Sequence, residues 1–333
     1  MAGRPTNLAL ALLVVIAIGT GLGAYAVGTA SGRAVVVAHG VFGFAMVLLS
    51  PWKGTIVGRG LRRKRAGRIL SIVLAAAFLA TISSGVLFST GLVLAYGPLS
   101  AMQVHVGAGV LTAVLIALHV RARPVRPRLF DLSRRNLLRA GALTGGAGLL
   151  WLGLEGTAAA LGWRGASRRF TGSHETGSFA PALVPVTQWL DDPVPHIDPS
   201  DWHLQVRAAE SRLISHPDLL SFDDRLLATL DCTGGWYATL EWTGVRLDRI
   251  LGRLEGGSIL VRSVTGYERR FPIEHAEHLL LAHSVGGAAL SVGHGWPARL
   301  VAPGRRGFWW VKWVTEISHD PRPSWWQSPF PLS

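Results

Sequence analysis

Three side chains stand where their type alone invites chemistry: the solitary cysteine, Cys232, and two histidines inside long apolar runs, His39 and His105. One cysteine cannot close an intramolecular disulfide, so its thiol packs, links two chains or reacts. It lies in Leu230 to Trp242, LDCTGGWYATLEW, where a strand-like run ends and Gly234 and Gly235 let the backbone approach something bulky. The histidines are read from depth. His39 follows Arg33 by six residues and His105 follows Ser100 by five, so both fall about 8 Å along helices that start on the same side. An ionisable group inside a bilayer is costly and begins as a functional hypothesis. Two imidazoles at one depth on two helices are what bis-histidine ligation of a haem b iron requires, with Gly43 and Gly109 one turn on leaving room for a porphyrin edge. The alternative is that His39 and His105 merely hydrogen-bond between helices. His119 lies about 21 Å deeper, and its partner would fall near position 53, which is Lys53, so one haem is expected.

The cysteine gains meaning from the segments after it. Cys232-Thr233-Gly234-Gly235-Trp236 is succeeded by Trp242-Thr243-Gly244-Val245-Arg246-Leu247, Gly266-Tyr267, His294-Gly295-Trp296-Pro297-Ala298-Arg299-Leu300-Val301, Pro303-Gly304-Arg305-Arg306-Gly307-Phe308 and Val311-Lys312-Trp313-Val314. This ordered series resembles the molybdopterin-binding domain of the sulfite oxidase family, which includes the periplasmic methionine sulfoxide reductases. The resemblance runs from about residue 170 to 320 and rests on the order of the pieces. It implies that Cys232 is the thiolate ligand of molybdenum beside the dithiolene of one pterin. It further implies that Thr233, His294, Arg299, Gly304, Arg305, Gly307 and Lys312 line the pterin pocket, since a buried dianion needs cations and backbone donors. Ser173 and His174 sit where the family has polar pterin contacts. Ser263 and Thr265 are read either as neighbours of metal or pterin or as ordinary strand polarity.

These residues need two kinds of scaffold. The chain has 333 residues; most of 1–160 is apolar with charges confined to short loops, and the rest mixes polar and apolar residues as a globular domain does. Asn7–Gly28, Ala34–Ser50, Gly67–Ala95 and Ala101–Val120 are apolar runs to cross or nearly cross about 30 Å of hydrocarbon. The last begins after Gly97-Pro98 with Ser100 as N-cap. Arginines and lysines gather in Lys53–Arg68 (Lys53, Arg59, Arg62, Arg63, Lys64, Arg65, Arg68) and after the fourth run (Arg121, Arg123, Arg126, Arg128), whereas the opposite turns offer only Arg33. The N-terminus and both basic segments are therefore cytoplasmic. This topology accounts for much of the net charge of +13, so nucleic acid is not an expected partner. The four runs are similar to four-helix b-type cytochromes. Ser133-Arg134-Arg135-Asn136-Leu137-Leu138-Arg139 before the apolar segment Ala140–Gly162 resembles a twin-arginine export signal, which suits a domain that takes up its cofactor before crossing the membrane. Ala158-Ala159-Ala160 can be read as a cleavage site, but retention as an anchor keeps the two halves coupled.

The expected architecture is a multi-domain chain: an all-α transmembrane bundle over 1–128, the twin-arginine segment and fifth transmembrane helix over 129–167, and an extracytoplasmic α+β sulfite-oxidase-like molybdopterin domain over 168–333. Within the last, Trp202–Arg207, Ser258–Val264, Leu279–His283 and Ala298–Val301 read as strands, and Asp223–Thr229 and Leu247–Leu254 as helices. Arg168-Arg169 and Arg269-Arg270 are expected to face solvent or lipid headgroups. Molybdenum-molybdopterin and one haem b are the expected cofactors, and the membrane and the quinone pool the expected partners. The resemblance implies oxygen-atom transfer to or from a small sulfur or nitrogen oxide. Reduction of a sulfoxide, oxidised methionine included, or of an N-oxide is favoured. Sulfite oxidation is the alternative, because the family's animal and plant sulfite oxidases carry arginine just after their cysteine and Cys232–Trp236 carries none. A non-catalytic electron-relay or binding module is the reading from another class.

Overall fold

The computed structural model describes residues 3–62, 68–122, 124–125, 127–128, 131, 133–188, 192–208 and 210–331. Arg63, Lys64, Arg65, Arg123 and Arg126, used above as topology signals, lie outside the described residues. The chain divides into two compact units, Met1–His174 and Glu175–Ser333.

The first unit is built on five helices, α1 (Arg4–Ala26), α2 (Gly32–Arg62), α3 (Arg68–Thr90), α4 (Ala101–Ala122) and α5 (Arg134–Ala160), all long and apolar enough to cross a membrane. A two-residue hairpin of β1 (Ala95–Tyr96) and β2 (Leu99–Ser100) leads into α4. Ser100 caps that helix as expected: its Oγ accepts from Gln103 N at 3.0 Å, and Gln103 Oε1 accepts from Ser100 N at 2.7 Å. The basic segment from Lys53 is not a loop at its start. α2 runs through Pro51 to Arg62, so the apolar run read as ending at Ser50 is only the apolar part of a longer helix. The arginine pair at Arg134-Arg135 likewise lies inside α5, in its first turn.

Packing follows small residues. α1 lies on α2 and α3 on α4, while α5 lies on α2. Ala147 of α5 is fully buried with Ala45, Met46 and Leu49 of α2 and Leu13 of α1. A Cβ on Gly40 would come within 2.7 Å of Trp151, so only glycine admits that indole at the turn beside His39. Beyond α5, the 3-10 turn Arg164–Ser167 closes on the end of α3: a Cβ on Gly165 would stand 2.2 Å from Ser89 O. Arg168 donates to Ser89 O at 3.2 Å and pairs with Glu155 at 2.5 Å. Cations at a helix C-terminus satisfy its free carbonyls and oppose its dipole. Arg168 is thus a structural cap, correcting its reading as a solvated charge.

β3 (His174–Glu175) marks the boundary of the units. The second unit then adds β4 (His203–Arg207), β5 (Ser211–Ser215), α6 (His216–Leu220), β6 (Asp224–Asp231), β7 (Trp236–Arg246), α7 (Leu247–Leu251), β8 (Ser258–Ser263), β9 (Glu268–Pro272), β10 (Leu280–Val285), β11 (Ala288–Ala289), β12 (Arg299–Val301) and β13 (Val314–Asp320). β10 joins β11, β12 and β7, and β7 pairs with β6; a second sheet runs β5-β4-β13-β8-β9, with β4 and β13 parallel. Leu204, Val206, Ile259 and Val261 of one sheet share a single core with Ala238, Leu240, Leu280 and Leu300 of the other. This is the expected α+β unit. Asp223–Thr229, read as a helix, is instead most of β6. Its side chains alternate in exposure up to the Cys232 turn, and it pairs with β7 along its whole length, so long-range pairing overrides the local leucine spacing. Arg269 and Arg270, read as exposed, are 2% and 7% exposed. The first lies 4.0 Å over the Trp309 ring and the second is paired with Asp320 at 3.0 Å.

Candidate active site

Cys232 begins the turn between β6 and β7. Its N–H donates to Trp236 O at 2.9 Å, Gly235 N–H donates back to Cys232 O at 3.1 Å, and Gly235 takes φ 93°, which glycine adopts without strain. The thiol is half-buried. Its Sγ accepts from Gly234 N–H at 3.3 Å and meets the Thr187 hydroxyl at 3.4 Å. Thr233 is half-buried in the same turn. From the other side comes the loop after β12. Gly304, at φ 73°, and the Arg305 N–H to Ala302 O bond at 3.2 Å turn the chain, bringing Gly307 so close that a Cβ there would lie 3.2 Å from Cys232 Cα.

A buried ion pair locks the two loops together. Arg306 Nη1 donates to Asp231, both side chains 3% exposed, and Arg306 Nη2 donates to Cys232 O at 3.2 Å. Removing one partner of such a pair strands a charge and costs about 3–5 kcal/mol. Arg306→Ala is therefore expected to lower the unfolding free energy of the full chain in detergent by that amount. An Asp231→Asn/Arg306→Met double variant is expected to lose less, because no lone charge remains; denaturant titration of the three proteins checks the order.

Arg299 and Lys312 act on the thiol by charge from outside its own loop. Arg299 of β12 is 3% exposed, donates to His294 O at 3.1 Å, and lies between the Trp242 and Trp310 rings at 5.6 and 5.7 Å. Burial pushes its pKa down to about 10, opposed by the charge of Cys232. Lys312, just before β13, donates to Thr187 O, Gln188 Oε1 and Gly293 O at 2.8, 2.9 and 2.7 Å. Burial first, then Arg299, push it down to about 7, against the pull of Cys232 and Asp192. His294 Nδ1 bonds Ser291 Oγ at 2.8 Å, and burial with Arg299 and Lys312 nearby holds the imidazole below its usual range. Ser263 Oγ accepts from Thr265 N at 3.2 Å and lies 3.1 Å from Thr265 Oγ1, whose hydroxyl donates to Asp192 at 3.3 Å. Arg305 is set over Trp309 at 4.8 Å.

Residues 191–326 match the family model described as the oxidoreductase molybdopterin binding domain. The second unit is a molybdopterin-binding oxidoreductase domain of the sulfite oxidase family. The chain is similar to mitochondrial sulfite oxidase of Homo sapiens, 29% identical over 178 residues that cover 40% of this chain and 32% of the relative. The enzyme of Mus musculus is 29% identical with the same coverage. The chain thus spans about a third of the length of these relatives. The sulfane dehydrogenase SoxCD of Paracoccus pantotrophus aligns at TM-score 0.37 and 26% identity, covering 39% of this chain and 40% of that one.

The molybdopterin domain has the donors its cofactor needs. Arg299 Nε and Trp236 Nε1 are buried with no hydrogen-bond partner among the described residues, and a buried donor left so is costly unless something absent from the protein accepts from it. The surrounding cations, Arg299 and Lys312, donate to neutral oxygens. An anionic, oxygen-rich cofactor fits that inventory. The structure brings together Cys232, Thr233, Gly307, His294, Arg299 and Lys312, with Ser263 and Thr265 joined through Asp192. Ser173 and His174 belong to the first unit, where His174 Nε2 donates to Phe88 O at 2.8 Å and its ring meets Phe88 at 4.8 Å. Sequence reasoning misses Thr187, Gln188, Asp192, Asp231 and Arg306. The acid before the cysteine and the second arginine of Arg305-Arg306 are visible as a charge pair; the segment 187–192 carries no periodic signal.

In the first unit, His39 and His105 meet edge to face with ring centroids 5.8 Å apart and planes at 88°. Each ring is held from a different helix. His39 Nδ1 bonds Ala17 O at 3.0 Å and lies 3.3 Å from Thr20 Oγ1 of α1, and His105 Nδ1 donates to Thr81 O of α3 at 2.8 Å. The glycines that admit the rings are Gly21 and Gly85, where a Cβ would lie 3.1 and 2.8 Å from them. A Cβ on Gly43 would meet nothing within 4 Å, and one on Gly109 would meet only Thr81, at 3.7 Å.

Proposed function

We propose that this protein is a membrane-anchored molybdenum enzyme in which Cys232 is the metal's protein ligand and oxygen moves to or from a small sulfur or nitrogen oxide. The observation that carries this reading is the Cys232 thiol: half-buried at the tip of a hairpin locked by Arg306 and Asp231, and within the charge of the buried Arg299 and the half-buried Lys312, whose hydrogen bonds go to neutral oxygens. A molybdenum-pterin centre supplies the two-electron oxygen chemistry when bound. The chain's own groups then have distinct tasks. Arg299 and Trp236 would offer buried donors to the cofactor, Lys312 and His294 would hold its charged end, Gly234 keeps a side chain off the sulfur and Gly307 lets its loop lie against the Cys232 backbone.

One haem b held by His39 and His105 belongs to the same reading. A ligating imidazole characteristically gives its other N–H to a carbonyl, as both Nδ1 atoms do here, which leaves the two Nε2 atoms as the available ligands. The two rings stand close enough to face one group, with centroids 5.8 Å apart, and would hold a haem from opposite helices. The haem would exchange electrons with the quinone pool across helices lying in the membrane, with the N-terminus cytoplasmic and the molybdopterin domain outside. Retention of α5 is supported by the burial of Ala158, the first residue of the cleavage-like triplet, at 1% exposure.

Reduction of an S-oxide or N-oxide is the first reading of direction. Sulfite oxidation is favoured by a specific observation: the cations missing from the cysteine loop are supplied by Arg299 and Lys312, which removes the main objection to an anionic substrate, and the similar human protein is a sulfite oxidase. Turnover of purified full chain with reduced dye across sulfoxides and N-oxides, and with sulfite plus an acceptor, separates the two. Activity in neither assay from molybdenum-loaded protein would contradict both and leave the non-catalytic module.

A further inference from the structure

A thiolate that ligates a metal has given up its proton, so any hydrogen bond at its sulfur is one it accepts. Each such bond draws electron density off the sulfur and away from the metal, and hydrogen bonds to ligating sulfurs are one of the levers that set the potential of a metal–thiolate centre. Two groups stand in position to donate to Cys232. Gly234 N–H donates to Sγ at 3.3 Å from within the cysteine's own turn, and the Thr187 hydroxyl lies 3.4 Å from Sγ, arriving from a segment 45 residues earlier in the chain.

The first bond comes with the turn, whereas the second has to be built. Thr187 is half-buried and belongs to no helix or strand, so its place depends on what grips its backbone. Lys312 Nζ supplies that grip: it donates to Thr187 O at 2.8 Å, to Gln188 Oε1 at 2.9 Å and to Gly293 O at 2.7 Å. Gln188 Nε2 donates to the same Gly293 O at 3.4 Å. These four bonds tie residues 187–188 to the segments that lead into β12 and β13. The neighbouring residue adds a steric contact, since a Cβ on Gly293 would come within 2.6 Å of Val186 Cγ1. The threonine backbone is thus held from one side, and its hydroxyl meets the sulfur as its one hydrogen-bond partner among the described residues.

We propose that the Thr187 hydroxyl is a hydrogen-bond donor to the Cys232 thiolate and, through that sulfur, helps to set the reduction potential of the bound molybdenum. The proposal rests on the reading of Cys232 as the metal's ligand. It makes Thr187 a positioning residue that acts through the sulfur, with no substrate contact assigned to it. Density drawn off the sulfur favours the more electron-rich, reduced metal and so raises the potential. A higher potential makes the centre a better acceptor of electrons from its substrate. Lys312 gains a second task, because its bond to Thr187 O holds the segment that carries the hydroxyl.

The test uses the full chain loaded with molybdenum, titrated with redox mediators while the one-electron-reduced metal is followed by electron paramagnetic resonance. Thr187→Val removes the hydroxyl and keeps the branched shape. It is expected to lower the first one-electron potential by about 59 mV, a tenfold shift of that equilibrium. Thr187→Ser keeps a hydroxyl and is expected to return the potential to near wild type. Pulsed resonance in H2O and D2O gives a second readout: wild type and Thr187→Ser are expected to show a weak exchangeable-proton coupling that Thr187→Val lacks. A valine variant that keeps either the wild-type potential or that coupling, or a serine variant that shares the valine shift, overturns the role of the hydroxyl while leaving the ligand assignment standing. Where valine does not fold, wild type alone decides, since a spectrum without the coupling overturns the same role. Wild type that binds no molybdenum, or binds it without a cysteine sulfur in its shell, overturns both.

Discussion

Cys232→Ser is expected to abolish oxygen transfer while leaving the haem spectrum intact. Serine keeps the turn, because the hairpin is set by backbone bonds from Cys232 to Trp236 and Gly235 and by the Arg306–Asp231 pair, none of which uses sulfur. What it loses is the soft thiolate that suits the metal. Loss of an outer partner of a metal site costs 10–100-fold; loss of the ligand is expected to cost more than about a hundredfold in turnover, with molybdenum content falling in step. Thermal unfolding is expected to stay near wild type, which separates ligand loss from misfolding. Turnover in the serine variant within tenfold of wild type would remove the cysteine from the chemistry.

The complementary loss is expected from the helical unit. His39→Ala and His105→Ala should each eliminate the reducible b-type Soret band and quinol-driven turnover, while molybdenum content and dye-driven turnover persist. Each imidazole is anchored from its own helix, His39 on Ala17 O and His105 on Thr81 O, so removing one leaves the other in place with a single ligand. A five-coordinate spectrum in one variant and full loss in the other would refine the assignment; unchanged haem in both would remove it.

Much of this arrangement is legible from residue order, and the failures share a cause. Five apolar stretches predict five helices because a bilayer-length run has few alternatives, yet their ends shift where polar residues remain helical, as Lys53–Arg62 does beyond Pro51. Strands such as Ser258–Ser263 are visible from apolar, β-branched runs. Asp223–Thr229 reads locally as a helix because the partner that makes most of it a strand, Trp236–Arg246, lies across a turn that local spacing does not register.

The site shows the same division. Motif order finds Cys232, Arg299 and Lys312, and the structure brings them into one charged neighbourhood. Asp192 and Thr187 enter it from a segment with no regular structure, where position depends on tertiary contacts that no local pattern encodes. His174, assigned to the pocket from the family resemblance, donates to Phe88 O at the end of α3. The cysteine loop lacks an arginine in sequence, whereas folding brings Arg299 of β12 within the charge of Cys232.

The most direct test of the central claim is molybdenum X-ray absorption on purified full-length protein and on Cys232→Ser. Wild type is expected to hold molybdenum equimolar with the chain and to show, beside the dithiolene sulfurs, one further sulfur ligand that the serine variant lacks. Metal-free wild type prepared with cofactor supply intact, or the same sulfur shell in both proteins, would contradict the account.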